Sequence, residues 1–244
     1  MNRIAFFVEG QTEQIFLNRL VKEILGTQYT NIIQKQIRGG VNMPKEQITR
    51  SLSLSKKPRH EVLIFDCGAD NRVKSEIMEN IRNLRSSGYS LIVGLRDLYP
   101  VPIEELDKLE KGLKYLPRHL RNEEDYYDII IAIHEIEAWF LAETNHLQKV
   151  DKRLTGPFIR KHLGFDPYSE DCQSREHPAK DLSDIYRLVG KSYTKRHWQV
   201  QKLVNRLDYN YIRNHIRYDI KPLSRLISVV EDFKDIKLKK VNYQ

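Results

Sequence analysis

Residues 3–20 read RIAFFVEGQTEQIFLNRL, and this stretch decides the class of fold. Residues 4–8 are a short continuous apolar run, which is typical of a strand buried on both faces. The run ends at Glu9 and Gly10, and apolar residues at helical spacing follow. A charge at the end of a buried strand is costly unless it is solvated, paired or bound to a cation. Glu9, with Glu13 one helical turn later, is therefore the first candidate functional residue.

Two interpretations of this acidic pair stay open. Gly10 allows a tight turn, and the helix after it begins with N–H groups that have no partner within the helix. Glu9 is then a candidate cation ligand or general base, with Glu13 beside it. Alternatively, Glu13 only favours the first turn of its helix through the macrodipole, and Glu9 is solvated.

The alternation of strand and helix continues through the first 145 residues. Strand patterns lie within residues 2–10, 30–40, 59–70, 89–102 and 126–143. Helical patterns lie within residues 12–25, 43–55, 72–88 and 103–120. Nearly continuous apolar strands separated by helices predict an α/β fold with a mostly parallel sheet flanked by helices. Ligands of such sheets bind beyond the carboxyl ends of the strands.

The pattern changes after about residue 145. Residues 150–181 are rich in proline, glycine and polar side chains and predict loops with one short helix. Residues 182–216 and 222–233 show helical spacing. We therefore predict two domains, an α/β domain over residues 1–145 and a mostly helical, basic C-terminal region over residues 146–244 that packs on it.

The composition indicates a globular protein with a basic surface. Hydrophobic residues make up 40% of the 244 and charged residues 30%, which is not the profile of a disordered chain. The formal net charge of +8 suits a polyanionic partner such as nucleic acid. A basic protein that is simply soluble would carry the same charge, so this feature alone does not decide the partner.

The sequence lacks the features of disulfide-rich, membrane-spanning and secreted proteins. The two cysteines cannot form a disulfide framework, and no apolar run approaches the roughly 20 residues of a membrane span. The N-terminus lacks the layout of a signal peptide, so we expect a cytoplasmic protein without a membrane partner. The sequence also contains no P-loop, dinucleotide fingerprint, nucleophile elbow or zinc-ligand spacing.

Later strand patterns also end in acidic residues. Asp66 ends one within LIFDCGAD, with Asp70 close behind it, and Asp97 ends the next within LIVGLRDLYP. Hard cations such as Mg²⁺ are held by one or two carboxylates plus waters and substrate phosphates, so acids from separate strand ends suit them. The alternatives are a turn at Asp66 and Asp70, and for Asp97 an ion pair with Arg96 or a helix cap in the Pro-rich turn that follows it.

The segment IAIHEIEAWFLAE changes from strand alternation to helical spacing. His134 and Glu137 lie three residues apart in it and could meet on one helix face. A lone histidine is more often structural than a ligand. Glu137, an acid among apolar neighbours, is the stronger candidate for a metal ligand.

The basic segment GKSYTKRHWQVQKLVNRL interleaves cations with aromatic residues, and this combination suits a phosphate backbone with unstacked bases. We predict nucleic-acid contacts at Lys191, Lys195 and Arg196, and on the same grounds at Lys180. The alternative is a solvated basic helix face whose apolar residues, Trp198 among them, fill the core.

The stretch FFVEGQTE resembles the opening of TOPRIM-type domains, the Mg²⁺-binding fold shared by topoisomerases, DnaG-type primases and OLD-family nucleases. More narrowly, the chain resembles a small bacterial TOPRIM-like family of unknown function that is often encoded beside an ABC/SMC-like ATPase and is linked to phage defence. The similar segments are VEGQTE, VGLRD, HEIEAWFLAE, HPAKDL and GKSYTKR, at residues 8–13, 93–97, 134–143, 177–182 and 190–196. VEGQTE and HEIEAWFLAE are the more specific of these.

The resemblance implies roles for individual residues. Glu9 takes the place of the general acid/base or metal-linked glutamate of TOPRIM domains, and Glu13 is second to it. Asp97 takes the first position of the paired-aspartate motif. Glu137 is an acid of the family's EIEAW segment.

The chain departs from that pattern at Tyr99, which stands where the second aspartate of the pair is expected. Either Asp66 and Asp70 supply the missing charge, or the metal site is weakened. A site with too few carboxylates binds Mg²⁺ only together with substrate phosphate, or not at all.

The leading hypothesis is a Mg²⁺- or Mn²⁺-dependent phosphodiesterase, a nuclease acting on DNA or RNA, whose ion neutralises the scissile phosphate and activates a water molecule. In it Glu9 is the base or a ligand, Asp97 with Asp66 or Glu137 holds the ion, and the basic C-terminal region follows the nucleic-acid backbone. The alternative is a non-catalytic module with a degenerate metal site that binds nucleic acid or a partner such as the ATPase. Tyr99 favours this alternative.

Overall fold

A computed structural model of the chain describes residues 1–40, 43–51, 55–69 and 71–236. These residues form two compact units, each assembled from separate stretches of sequence. The first unit contains residues 1–95 and 113–130 and the described C-terminal residues from Ser228 on, and the second contains residues 96–112 and 131–227. The predicted division into domains at residue 145 stays a prediction.

Six strands form one sheet. They are β1 (Asn2–Val8), β2 (Thr30–Gly40), β3 (Met43–Ser51), β4 (His60–Asp66), β5 (Tyr89–Asp97) and β6 (Tyr127–Ala132). Their order in the sheet is β3-β2-β4-β1-β5-β6. The pairs β1–β4, β1–β5 and β2–β4 are parallel, and β2–β3 is antiparallel. The predicted α/β fold with a mostly parallel sheet is confirmed.

Helices connect the strands and make up most of the C-terminal region, as predicted. The α-helices are α1 (Gln11–Leu25), α2 (Arg72–Ser86), α3 (Leu106–Lys114), α4 (Glu137–Ala142), α5 (Asn145–Val150), α6 (Gly156–Leu163), α7 (Pro178–Arg187), α8 (His197–Val204), α9 (Tyr209–Tyr211), α10 (Arg217–Asp219) and α11 (Lys221–Asp235). Short 3₁₀ segments cover Thr27–Tyr29, Ile103–Glu105, Arg118–Tyr126 and Cys172–Ser174, and a π-helical turn covers Ile212–Ile216. No described helix is both long and apolar enough to cross a membrane.

The core of the first unit explains why the apolar runs become strands. β1 lies between β4 and β5, and its residues 4–8 are almost completely buried, as a strand covered on both faces must be. The rings of Phe7 and Phe65, from β1 and β4, meet edge to face with their centroids 5.0 Å apart. Val8 pairs with Asp66 on one side and with Leu95 on the other, so β1 and β4 end at the same level and β5 continues two residues further, to Asp97.

The prediction of a helix over residues 43–55 is wrong. Residues 43–51 form β3, which pairs antiparallel with β2 at the edge of the sheet, and residues 52–54 lie outside the described part of the chain. The segment KEQITRS has one large apolar residue, Ile48, and therefore no hydrophobic period that could choose between helix and strand. The hydrogen bonds that β2 offers at its open edge decide the conformation.

Candidate metal centre

The site is built where β5 ends and the chain turns into α4. Beyond β5, the backbone N–H of Leu98 donates to the carbonyl of Ala132, and that of Tyr99 donates to the carbonyl of His134, each at 2.9 Å. Asp97 Oδ1 accepts a hydrogen bond of 2.9 Å from the backbone N–H of Ile136, the residue just before α4. Asp97 therefore holds the backbone of the turn just before α4, a contact that the sequence analysis did not predict.

Three carboxylates converge at this turn, from Asp97, Glu135 and Glu137. One oxygen of each lies within 4.8 Å of the others, a separation at which a single cation could contact all three. Asp97 is buried, Glu137 has no exposed surface, and Glu135 is half-buried. All the donors are carboxylate oxygens, which are the ligands that hard divalent cations such as Mg²⁺ and Mn²⁺ prefer.

A lysine lies among these acids. Lys195 Nζ is 2.9 Å from Glu135 Oε1 and 3.1 Å from Glu137 Oε2. Its side chain is 40% exposed, so the ammonium group approaches the buried carboxylates from the solvent side. Arg96, also buried, donates from Nε to the carbonyl of Asp97 at 3.1 Å. The cluster therefore already contains one cationic side chain, that of Lys195, which partly balances its negative charge.

Neutral donors fix the orientation of the two glutamates. The Tyr193 hydroxyl donates to Glu137 Oε1 at 2.8 Å, and the backbone N–H of Ala179, in the first turn of α7, donates to Glu135 Oε2 at 3.0 Å. These contacts come from residues more than 40 positions away in the sequence. Tertiary structure therefore holds both carboxylates in place.

Two residues of the site have left-handed backbone conformations. His134, directly before Glu135, has φ of 56°, and Lys195 has φ of 55°. They are the non-glycine residues with positive φ in the described part of the chain. Such conformations are uncommon for residues with a Cβ and tend to occur at functional sites, where the surrounding structure enforces them.

Burial and charge act in opposite directions on the titration of the cluster. Burial raises the pKa of the Glu137 carboxyl above its ordinary value, and the ammonium group of Lys195 opposes this rise. Burial alone would lower the pKa of Lys195, but the charges of Glu137 and Glu135 raise it above its ordinary value. Lys195 therefore stays protonated at neutral pH.

Glu9 and Glu13 lie in the first unit, at the carboxyl end of β1 and the start of α1. Glu9 is half-buried, and its backbone N–H donates to the carbonyl of Leu95 at 3.2 Å. Glu13 is buried in the first turn of α1, where the helix dipole stabilises a negative charge. Their catalytic roles stay predictions.

Asp66, at the end of β4 in the same unit, forms a local turn. Its Oδ1 accepts from the backbone N–H of Gly68 at 2.9 Å, and its Oδ2 accepts from Gln36 Nε2 at 3.1 Å. Burial raises its pKa, and these two hydrogen bonds oppose the rise. This geometry fits the turn that the sequence offered as an alternative to metal binding. Asp70 lies outside the described residues.

The four predicted nucleic-acid contacts have different surroundings. Lys180 is exposed and pairs with Asp184 at 2.8 Å, one turn further along α7. Lys191 and Arg196 are exposed on the loop between α7 and α8. Lys195, on the same loop, contacts the acid cluster instead. Whether any of the four binds nucleic acid stays a prediction.

Glu135 is the residue of the cluster that the sequence analysis did not single out. Its signal was present, because the segment HEIEAW places a second acid two residues before Glu137. Residues two apart lie on the same face of an extended chain, so this spacing could have placed the two acids together. Tyr193 was noted only as an aromatic residue of the basic segment.

The family model described as "Domain of unknown function (DUF4276)" matches residues 8–217, and the chain belongs to this family. The match includes all three acids of the cluster and Lys195. No curated protein and no solved structure gives a match.

Proposed function

We propose that this member of the DUF4276 family is a divalent-cation-dependent phosphodiesterase that acts on nucleic acid. The observation that carries the proposal is the convergence of Asp97, Glu135 and Glu137 within 4.8 Å, in a largely buried position. Burying several carboxylates together is costly unless cations compensate their charge. Lys195 compensates only part of the charge of three acids, so the cluster can accept a further positive charge.

The donor set suits Mg²⁺ or Mn²⁺. When bound, such an ion would neutralise a substrate phosphate and make a bound water molecule more acidic. The chain's own contribution would be to hold the carboxylates: Tyr193 orients Glu137, the Ala179 N–H orients Glu135, and the Ile136 N–H orients Asp97. Lys195, partly exposed, would offer its ammonium group to a phosphate oxygen.

Other parts of the proposal rest on the sequence. The resemblance to TOPRIM domains supports Glu9, with Glu13, as the general acid/base. The net charge of +8 supports nucleic acid as the substrate. An ABC/SMC-like ATPase partner, a part in phage defence and a cytoplasmic location are proposed on the same resemblance and on the composition.

A second candidate is a non-catalytic module that binds nucleic acid or a protein partner. The specific observation in its favour is Lys195, whose ammonium group contacts two of the three acids and so stands where a cation could bind. In this case the lysine would compensate the acids permanently, and the cluster would stabilise the fold without binding metal.

The test compares metal binding and nuclease activity in matched variants. Mn²⁺ and Mg²⁺ binding is measured by calorimetry, and cleavage is measured on single- and double-stranded DNA and on RNA. We expect Asp97→Asn combined with Glu137→Gln to abolish both. Glu110→Gln, at an exposed acid on α3, serves as the control and should retain both. Glu9→Gln should abolish cleavage and leave nucleic-acid binding nearly intact.

Two results would overturn the proposal. If the Asp97→Asn/Glu137→Gln variant cleaves as fast as the wild type, the nuclease activity belongs to a contaminant or to another site. If neither ion binds with or without an oligonucleotide, the second candidate replaces the first.

A further inference from the structure

A basic cavity of about 240 Å³ lies in the second unit, apart from the acid cluster. It is bounded by the end of α7, the loop that follows and one side of α8. Its described lining residues are Val150, Tyr186, Gly190, Lys191, Ser192, Trp198, Gln199, Lys202, Leu203 and Arg206. Three of these are cations and none is an acid, so the cavity favours an anionic ligand.

A nearby acid does not neutralise this charge. Asp151 is close enough to Lys191 for the lysine to help lower its pKa, but the main cause of that shift is Arg153. The guanidinium of Arg153 donates to both carboxylate oxygens of Asp151, each at 2.9 Å. Asp151 therefore has its own cationic partner, and the lining of the cavity keeps its positive charge.

The cavity also presents an aromatic face. Trp198, at the start of α8, is 58% exposed, although large aromatic side chains usually bury most of their surface. Leu203, another apolar residue of the lining, is buried, so the accessible apolar surface is the indole ring of Trp198. A flat aromatic surface beside cations is the arrangement that stacks a nucleobase and holds its phosphate.

A buried polar group also lines the cavity. Tyr186 is 5% exposed, and no described acceptor takes the proton of its hydroxyl. Burial raises the pKa of Tyr186, and the guanidinium of Arg206 opposes this rise. The hydroxyl therefore stays protonated at neutral pH and can donate a hydrogen bond to a ligand oxygen.

The wall of the cavity is fixed by one buried glutamine. Gln199 Oε1 accepts from the backbone N–H and the hydroxyl of Thr194 at 2.7 and 2.6 Å, and its Nε2 donates to the Ser192 carbonyl and hydroxyl at 3.2 and 2.9 Å. Gly190, with φ of 71°, has nothing within 4 Å of the position a Cβ would take, so a ligand can approach the backbone there. The cavity is therefore held in shape before a ligand binds.

We propose that this cavity binds one nucleotide of a single-stranded nucleic acid, with its base stacked on Trp198 and its phosphates at Lys191, Lys202 and Arg206. The inference rests on the proposed function and names its substrate class. The volume is below the roughly 300–1,000 Å³ of pockets that enclose a whole drug-sized ligand, so the cavity takes one unit of a longer chain. A base in a duplex is already stacked and paired and cannot reach the indole face.

The same loop connects this cavity to the acid cluster. Lys191 and Ser192 line the cavity, whereas Tyr193 and Lys195 contact Glu137. A single-stranded nucleic acid bound in the cavity would therefore contact Lys191 and Ser192, and the same loop continues to Tyr193 and Lys195, which contact the acid cluster. The basic and aromatic loop would therefore bind the nucleic acid next to the carboxylate cluster.

Fluorescence offers a direct test, because the chain has two tryptophans and one of them lies in the cavity. Trp139 is 1% exposed and serves as an internal reference, whereas Trp198 is accessible to a stacked base. We expect an oligothymidylate, added in EDTA, to quench the wild-type emission. Trp198→Ala should abolish the quench and weaken binding, measured by anisotropy of a labelled oligonucleotide, by about 5- to 150-fold. Trp198→Phe, which keeps an aromatic ring, should lose less.

Salt dependence tests the phosphate contacts. For Lys191→Gln/Lys202→Gln we expect the slope of log affinity against log salt to become shallower by about 0.7 for each lost contact. Lys111→Gln/Lys161→Gln removes the same charge from exposed positions on α3 and α6 that do not line the cavity, and should leave the slope unchanged.

Several results would overturn this proposal. They are a quench that persists in Trp198→Ala, equal weakening by the two lysine pairs, tighter binding of a duplex than of a single strand, and equal affinity for thymidine monophosphate and the oligonucleotide. Because binding is measured in EDTA, its outcome is independent of the metal. If no metal binds, the proposed function is wrong and the proposed nucleotide site still stands. If no single-stranded nucleic acid binds, the nucleotide site is wrong and the proposed metal centre still stands.

Discussion

Lys195 Nζ lies 3.1 Å from Oε2 of Glu137, a carboxylate with no exposed surface. The lysine holds this position with a left-handed backbone, and it contacts Glu135 as well. An ammonium group on a loop thus compensates acids that belong to the turn after β6 and the start of α4. The same group would compete with a divalent cation for those acids, so its removal separates a structural role from a metal-binding one.

We expect Lys195→Met to destabilise the metal-free protein. Its loss leaves the charge of Glu137 without its ammonium partner, and the free energy of unfolding should fall by about 1–3 kcal/mol, less than for a fully buried pair because the lysine is partly exposed. Mn²⁺ should then restore stability and raise the melting temperature more than in the wild type. Chemical and thermal denaturation with and without Mn²⁺ measure both effects.

Lys180→Met is the control for this experiment. Lys180 also pairs with an acid, Asp184, but on the exposed surface of α7, so its loss should change stability little and the response to Mn²⁺ not at all. A Lys195→Met variant that is destabilised and gains nothing from Mn²⁺ would indicate a purely structural ion pair.

Asp97 is both a candidate ligand and the acceptor of a hydrogen bond from the backbone N–H of Ile136, and two substitutions separate these roles. Asp97→Asn keeps an oxygen for the backbone N–H of Ile136 and removes the charge, so stability should be nearly retained while metal binding is lost. Asp97→Ala also removes this hydrogen bond, and we expect a further loss of about 1 kcal/mol, the usual net contribution of an intramolecular hydrogen bond. Urea denaturation measures the difference. Equal stability of the two variants would show that the hydrogen bond at Oδ1 contributes nothing.

The parts of the fold that were predictable have strong local signals. The continuous apolar runs of β1 and β5 predict strands that are buried on both faces. Because parallel strands point in the same direction, the acids at their carboxyl ends are expected at the same edge of the sheet. Asp97 was singled out as a candidate in this way, and Glu137 as an acid among apolar neighbours. β3 lacked such a signal, because its conformation comes from hydrogen bonds to a neighbouring strand and not from its own side chains.

The parts of the site that were missed depend on long-range contacts. Glu135 is directed by the left-handed turn at His134 and by the N–H of Ala179, which is 44 residues away. Lys195 was expected to meet phosphate, because a lysine in a basic segment carries no local sign of an acidic partner. Its contact with Glu135 spans 60 residues, a separation at which neither spacing nor propensity carries information.

The close packing of α2 against β5 gives a prediction about stability. A Cβ on Gly94 would lie 2.9 Å from Ile129 Cγ1, 3.0 Å from Val73 Cγ1 and 3.1 Å from Ile77 Cδ1. Gly94→Ala should therefore overpack the core and lower the free energy of unfolding by about 1–3 kcal/mol. In Gly112→Ala, the same change inside α3, the Cβ has no atom within 4 Å, and stability should rise by about 0.5–1 kcal/mol. Equal effects in urea denaturation would contradict the tight packing at β5.

The raised pKa of Glu137 predicts how stability depends on pH. The folded carboxyl keeps its proton to a higher pH than the unfolded one, whose pKa is near 4.5, so its contribution to stability is present below that pH and is lost as pH rises through the folded pKa. Glu137→Gln imitates the protonated form and has no such loss. The difference in free energy of unfolding, wild type minus variant, should therefore fall as pH rises from about 4, while the exposed control Glu110→Gln shows no comparable trend.

The same carboxyl links metal binding to pH. A cation needs the ionised form of Glu137, so Mn²⁺ should bind more tightly as pH rises and should release protons on binding at mildly acidic pH. Lys195 does not titrate in this range, because its pKa is raised above its ordinary value, so the effect is assigned to the carboxylates. Calorimetry in two buffers of different ionisation enthalpy measures the protons released. An affinity for Mn²⁺ that does not change with pH, together with parallel stability curves for the wild type and Glu137→Gln, would contradict the raised pKa of Glu137.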